Sequence, residues 1–255
     1  MSRVLTIARM AFTESVRDKI LYSILVFALA MIGSSAIMVT LSVGGEGRIA
    51  KDLGLACITL FGVFFSVFIG IGLVSREVER RTIFTLLSKP VRRAEFLVGK
   101  FLGLGMTLVV NVSVMTAGLI GLAWVIEGRW TPRIALAVGF TCLELLILIA
   151  FAILFSTFST PALSAIYTLT IFVIGRLSAD LKLLASQFGG YSLKATITTC
   201  YYLLPNLSRF NLSSLAISDS PVPWGTLALT AMYGVLYASA VLAMAIAIFQ
   251  RRDFR

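Results

Sequence analysis

The sequence predicts an all-α integral membrane protein with about six transmembrane helices, and three observations predict it. Of its 255 residues, 58% are hydrophobic and 13% are charged, against about 25% charge in a soluble domain. Uncharged stretches long enough to cross a bilayer, which takes about 20 residues, recur along the whole chain. The charge lies between these stretches, with basic residues collected on alternate connections, as happens when Lys and Arg gather on one face of a membrane.

The elements follow in order. Residues 3–19 carry Arg3, Arg9, Arg17 and Lys19 among apolar residues at helical spacing. This predicts an amphipathic interfacial helix with Val4, Ala8, Ala11 and Phe12 toward lipid and Arg9 and Arg17 toward water. No charge occurs from Ile20 to Gly45, which gives a first span at 20–43. The run exceeds the roughly 7–15 apolar residues of a cleavable signal core, so it is read as retained. Charge-flanked runs at 53–75, 101–126 and 134–158 give the second, third and fourth spans.

Pro161 opens a short fifth span at 161–177 that ends near Arg176. Proline suits a first helical position, where its missing N–H has no helical partner in any case, and Thr160 is placed to cap. The last span, 224–249, is closed by Arg251, Arg252 and Arg255. Between the last two spans lies a long external segment at 177–223. Leu181, Leu183, Leu184 and Phe188 predict a short amphipathic helix there, and Tyr191, Tyr201, Tyr202 and Trp224 are ring types of the membrane interface. Pro205, Pro221 and Pro223 break any further helix, so the segment is expected to lie on, or dip into, the outer leaflet.

Six spans place both termini on one side. That side collects fourteen Lys and Arg: four before the first span, seven from Arg76 to Lys100 and three after the last span. The opposite side has eight, four of them in the long external segment, where charge counts for less. Both termini are therefore expected in the cytoplasm, with the chain multi-pass in the inner membrane. The net charge of +10 is accounted for by this placement and by anionic headgroups, and nucleic acid is not an expected partner. There is no histidine, and Cys57, Cys142 and Cys200 show no ligand spacing. The usual zinc sites and Ser-His-Asp or Cys-His groups cannot be built, which weakens every hydrolase reading.

Glu144 is an acidic residue well inside a span, eleven positions after Arg133 and so ~16 Å along the helix. A charge at that depth costs at least about 2.5–3.5 kcal/mol. It is expected to face the interior of the bundle or to be protonated and bonded to a nearby serine or threonine, with no basic residue inside a span to pair with it. Small residues mark close helix packing: Gly99 and Gly103 lie four apart, and Gly70 and Gly72 sit in the second span.

The connection after the second span is the most informative stretch: Arg76-Glu-Val-Glu-Arg-Arg-Thr-Ile-Phe-Thr-Leu-Leu-Ser-Lys-Pro-Val-Arg-Arg-Ala-Glu-Phe-Leu-Val-Gly-Lys100. On a helix at about 77–90, Val78, Ile83, Phe84 and Leu87 fall on or near one face, with Glu79, Arg80 and Arg81 elsewhere, until Pro90 ends it. Such a helix can lie on headgroups, or it can serve as a lever gripped by a partner.

Glu77, Glu79, Thr82, Leu86, Leu87, Pro90, Val91, Arg92, Phe96, Gly99 and Lys100 resemble the corresponding loop of ABC-2 type transporter permeases. Arg81 and Arg93 depart from it, standing where that pattern has glycine and a small residue. Tyr201 to Asn211 and the ending Phe249 to Phe254 look most like the branch that includes the nitrous-oxide-reductase maturation permease. The resemblance implies a permease subunit driven by a separate ABC-type ATPase subunit that binds the ATP. It also implies a second permease copy or a homologous permease as dimer partner, with lipid around both. Residues 77–90 would be the cytoplasmic coupling helix, with Glu77, Glu79, Arg80, Arg81, Thr82, Phe84, Leu87, Pro90 and Arg92 as ATPase-coupling residues. No Gly-x-x-x-x-Gly-Lys-Ser/Thr phosphate loop occurs in the chain, so the resemblance implies that the chain itself is not an enzyme and holds no cofactor. Two other readings compete: an ion-coupled secondary transporter, which usually needs several intramembrane ionisable groups, and a non-transporting scaffold that transmits conformational change.

Overall fold

The computed structural model describes residues 3–40, 46–79, 93–128, 131–188, 204–217 and 224–251. Every regular element among them is helical: α1 (Arg3–Val16), α2 (Lys19–Thr40), α3 (Glu46–Glu79), α4 (Arg93–Glu127), α5 (Arg133–Ser156), α6 (Pro161–Phe188), α7 (Ser213–Ile217) and α8 (Trp224–Arg251), with a 3-10 turn at Leu207–Phe210 before α7. Five of these helices are long and apolar enough to cross a membrane, and α2 adds a shorter apolar stretch at Lys19–Ser35.

The core is built around α5. Its sequence is apolar on every side, and a helix of that kind must be surrounded by protein or lipid throughout. Ile147 to Leu154 are all buried in turn, with α3, α4, α6 and α8 packed about them. The α3 helix comes close through small residues: Gly62 lies against Leu145 and Gly70 against Ala152. Phe151 meets Tyr237 of α8. The opposite faces of α4, α6 and α8 keep large apolar side chains exposed, among them Val109, Trp124, Ile166, Leu229 and Val235, as lipid-facing helices do.

Both ends of the described chain lie at one end of this bundle. There α1 packs on the first turns of α4, and Phe249 of α8 stacks on Phe96 of α4. At the other end, here the loop end, Lys51 of α3 pairs with Glu127 of α4 at 2.7 Å. The Glu127 carboxylate lies over Gly47, where no Cβ obstructs it.

The helices differ from the sequence expectations in four places. The helix of the third span, α4, begins at Arg93, not near residue 101, because its first two turns are covered by α1. Gly99 and Gly103 make the seat, since a Cβ on Gly103 would lie 2.5 Å from the Ala8 carbonyl oxygen and 2.6 Å from the Ala11 Cβ. Ala8 and Ala11 are consequently buried against protein, a correction to the expectation that they face lipid. The helix of the second span runs unbroken to Glu79, so residues 77–79 continue that helix and do not start a separate one. The apolar part of the fifth span is Pro161–Ser178, close to the expected 161–177, but its helix, α6, runs on through Arg176 to Phe188, absorbing the separate amphipathic helix expected at 181–188.

Of the external segment, residues 204–217 are described, and they enter the bundle. Leu207 and Phe210 are fully buried. Leu207 fits against Gly175 of α6 and Phe210 against Gly234 of α8, while the Tyr233 hydroxyl accepts a hydrogen bond from the Asn206 N–H at 3.1 Å.

Candidate functional site

Two groupings of polar residues stand out, one at the terminal end and one within the bundle. At the terminal end, the helix that follows the 80–92 segment starts with Arg93. Its guanidinium donates from Nη1 to the carbonyl oxygens of Phe249 (3.1 Å) and Gln250 (3.4 Å), groups that the last turn of α8 leaves without helical donors. A cation there also suits the negative end of the helix dipole. The same guanidinium lies 5.9 Å from the Phe249 ring centroid. Two turns on, the buried Lys100 approaches Glu14 of α1 at 3.6 Å and the Phe96 ring at 5.7 Å. The first two turns of α4 therefore tie α1 to α8.

The sequence-predicted coupling residues sit just before this cluster in the chain. Glu77 and Glu79 lie in the last turn of α3, whereas Arg80, Arg81, Thr82, Phe84, Leu87, Pro90 and Arg92 lie outside the described residues. Cys200, and Tyr201 and Tyr202 of the suggested branch signature, also lie outside them.

Within the bundle, Glu144 of α5 is fully buried and faces the interior, as expected. The expectation that it lacks a basic partner is corrected. Nη1 of Arg176 donates to both Glu144 carboxylate oxygens at 2.8 Å. The pairing exists because α6 continues past Arg176, which puts the guanidinium inside the helix and not at its end. Glu144 lies eleven residues from the start of α5 and Arg176 twelve from the end of α6, ~16 and ~18 Å from the loop end. Two charges at that depth persist because each supplies the other's missing solvation.

Arg176 of this pair borders a small cavity of about 190 Å³ whose other walls come from α3, α5 and residues 211–213. Asp52, Thr59, Thr141, Asn211 and Ser213 line it beside Arg176. None of these was legible as a site residue, although Asp52, Leu55, Ala56 and Thr59 do share one helical face by their spacing. Another residue the sequence reading passed over is Asn111, buried in α4, whose side-chain oxygen has no partner among the described residues.

A family model described as ABC-2 family transporter protein matches residues 5–254 of the chain. No curated protein matches it.

Proposed function

Because the chain belongs to the ABC-2 transporter family and is a membrane permease of an ABC transporter, we propose that it moves its substrate with ATP hydrolysed by a separate ATPase subunit, gripping that subunit through residues 77–92. Both termini then face the cytoplasm, and two permease halves assemble with the ATPase in the inner membrane. The observation that carries this reading is the cluster at the start of α4. A push on the segment that precedes Arg93 arrives at a helix whose first turns hold α1 through Gly99 and Gly103 and hold α8 through Arg93. The start of α4 is thus fastened to two other helices, and a lever needs such fastening.

Affinity purification of the tagged chain in mild detergent tests the reading. An ABC-type ATPase is expected to accompany it, and Arg92→Glu is expected to leave the chain inserted while hydrolysis proceeds without transport. A chain recovered alone, with transport that continues without nucleotide, contradicts the reading.

The Glu144–Arg176 pair favours a second reading, an ion-coupled carrier, in which intramembrane charges pair and unpair during the cycle. Transport driven by an imposed ion gradient in vesicles free of ATPase distinguishes it.

A further inference from the structure

We propose that the cavity above the Glu144–Arg176 pair is a recognition subsite for a small zwitterion, a group that carries a carboxylate and an ammonium a few bonds apart, as an amino acid or the end of a short peptide does. The proposal rests on the permease reading and gives its substrate a chemical class.

The lining presents one charge of each sign, at separate places. Arg176 engages Glu144 through Nη1 alone, so Nε and Nη2 keep three N–H donors. Its side chain retains 27% exposure, while Glu144 retains none. The free donors therefore belong to the cavity, and a carboxylate is the acceptor whose planar geometry suits them. Asp52 lines the same cavity and is exposed, with no ion-pair partner among the described residues. Its carboxylate calls for a cation.

The neutral groups extend the pattern. Thr59 and Thr141 donate their hydroxyl hydrogens to the Leu55 and Ala137 carbonyls, which leaves their oxygens as acceptors for an ammonium. The Asn211 side-chain oxygen accepts from the Ser213 N–H and hydroxyl, which leaves its NH2 group as a donor for a carboxylate. A simple anion would be repelled by Asp52, and a simple cation would leave the Arg176 donors unmet. A zwitterion answers both. The volume of about 190 Å³ is below the roughly 300–1,000 Å³ of pockets that enclose a whole drug-sized ligand, so the site suits a small molecule or one end of a longer one.

The test uses the purified full-length chain in detergent, titrated by calorimetry with dialanine, with N-acetylalanine, which lacks the ammonium, and with alaninamide, which lacks the carboxylate. Dialanine is expected to bind, and each blocked compound to bind about tenfold more weakly or worse, since each leaves a charged group unpaired. Asp52→Asn, a change at an exposed side chain, is expected to keep the unfolding midpoint and to bind dialanine no better than N-acetylalanine. Absence of dialanine binding to the wild-type chain, equal binding of all three compounds, or wild-type dialanine binding by a folded Asp52→Asn chain overturns the proposal. Because these measurements need no ATPase, a chain that binds dialanine but recovers no ATPase keeps the subsite and loses the reading of drive by a separate ATPase. The reverse result does the opposite.

Discussion

Glu144 and Arg176 differ in what each would suffer if left alone, and the difference gives an ordered expectation. Arg176→Ala strands a carboxylate with no exposure, whereas Glu144→Ala leaves a guanidinium that still opens on the cavity. Breaking a buried pair costs about 3–5 kcal/mol, and Arg176→Ala is expected near the top of that range with Glu144→Ala near the bottom. The double replacement Glu144→Gln with Arg176→Met is expected to recover most of the loss. Unfolding midpoints in detergent check the order, and a Glu144→Ala chain less stable than Arg176→Ala contradicts it. A separate expectation concerns Gly103. A methyl group there meets the backbone of α1 at Ala8, and since overpacking a tight contact costs about 1–3 kcal/mol, Gly103→Ala is expected to lower the midpoint. Gly72→Ala, whose added Cβ meets nothing within 4 Å, is expected to leave it unchanged.

The helices themselves were largely legible, because length and apolar composition decide whether a segment can cross a bilayer. What misled was the use of charge as a boundary marker. Arg176 reads as the end of a helix only if nothing inside the bundle can neutralise it, and Glu144 lies on a different helix 32 residues away. A linear sequence shows two misplaced charges of opposite sign and gives no distance between them. Lys100 misled similarly, since its burial depends on α1 lying over it. Gly99 and Gly103 were visible as a close-packing signal, but the partner they receive is the amino-terminal helix, which the spacing alone could not select. The Arg93 contact to α8 was hidden for the same reason, 156 residues separating the two ends. At this scale, Arg93→Ala is expected to leave insertion intact and to weaken the link between nucleotide hydrolysis and transport severalfold. Hydrolysis and transport measured together on the reconstituted complex test this, and unchanged coupling would show that α8 moves independently of α4.

Across the whole molecule both described ends lie at one pole, opposite the Lys51–Glu127 pair. Single-cysteine labelling is expected to find residues near positions 2 and 254 reactive from the cytoplasm and a residue near position 44 reactive from outside; the opposite pattern would reverse the topology. The pair at the far pole has a mechanical consequence. Bound there and joined through residues 80–92 at their other tips, α3 and α4 resemble the two limbs of a pair of tongs, with Lys51 and Glu127 as the fulcrum. From Lys51 to Glu79 the limb is 28 residues long, ~42 Å at 1.5 Å per residue. A tilt of about 5° at the fulcrum sweeps the tip through about 3–4 Å over that length, so a modest movement imposed at the handles becomes a finely graded rotation where the limbs meet.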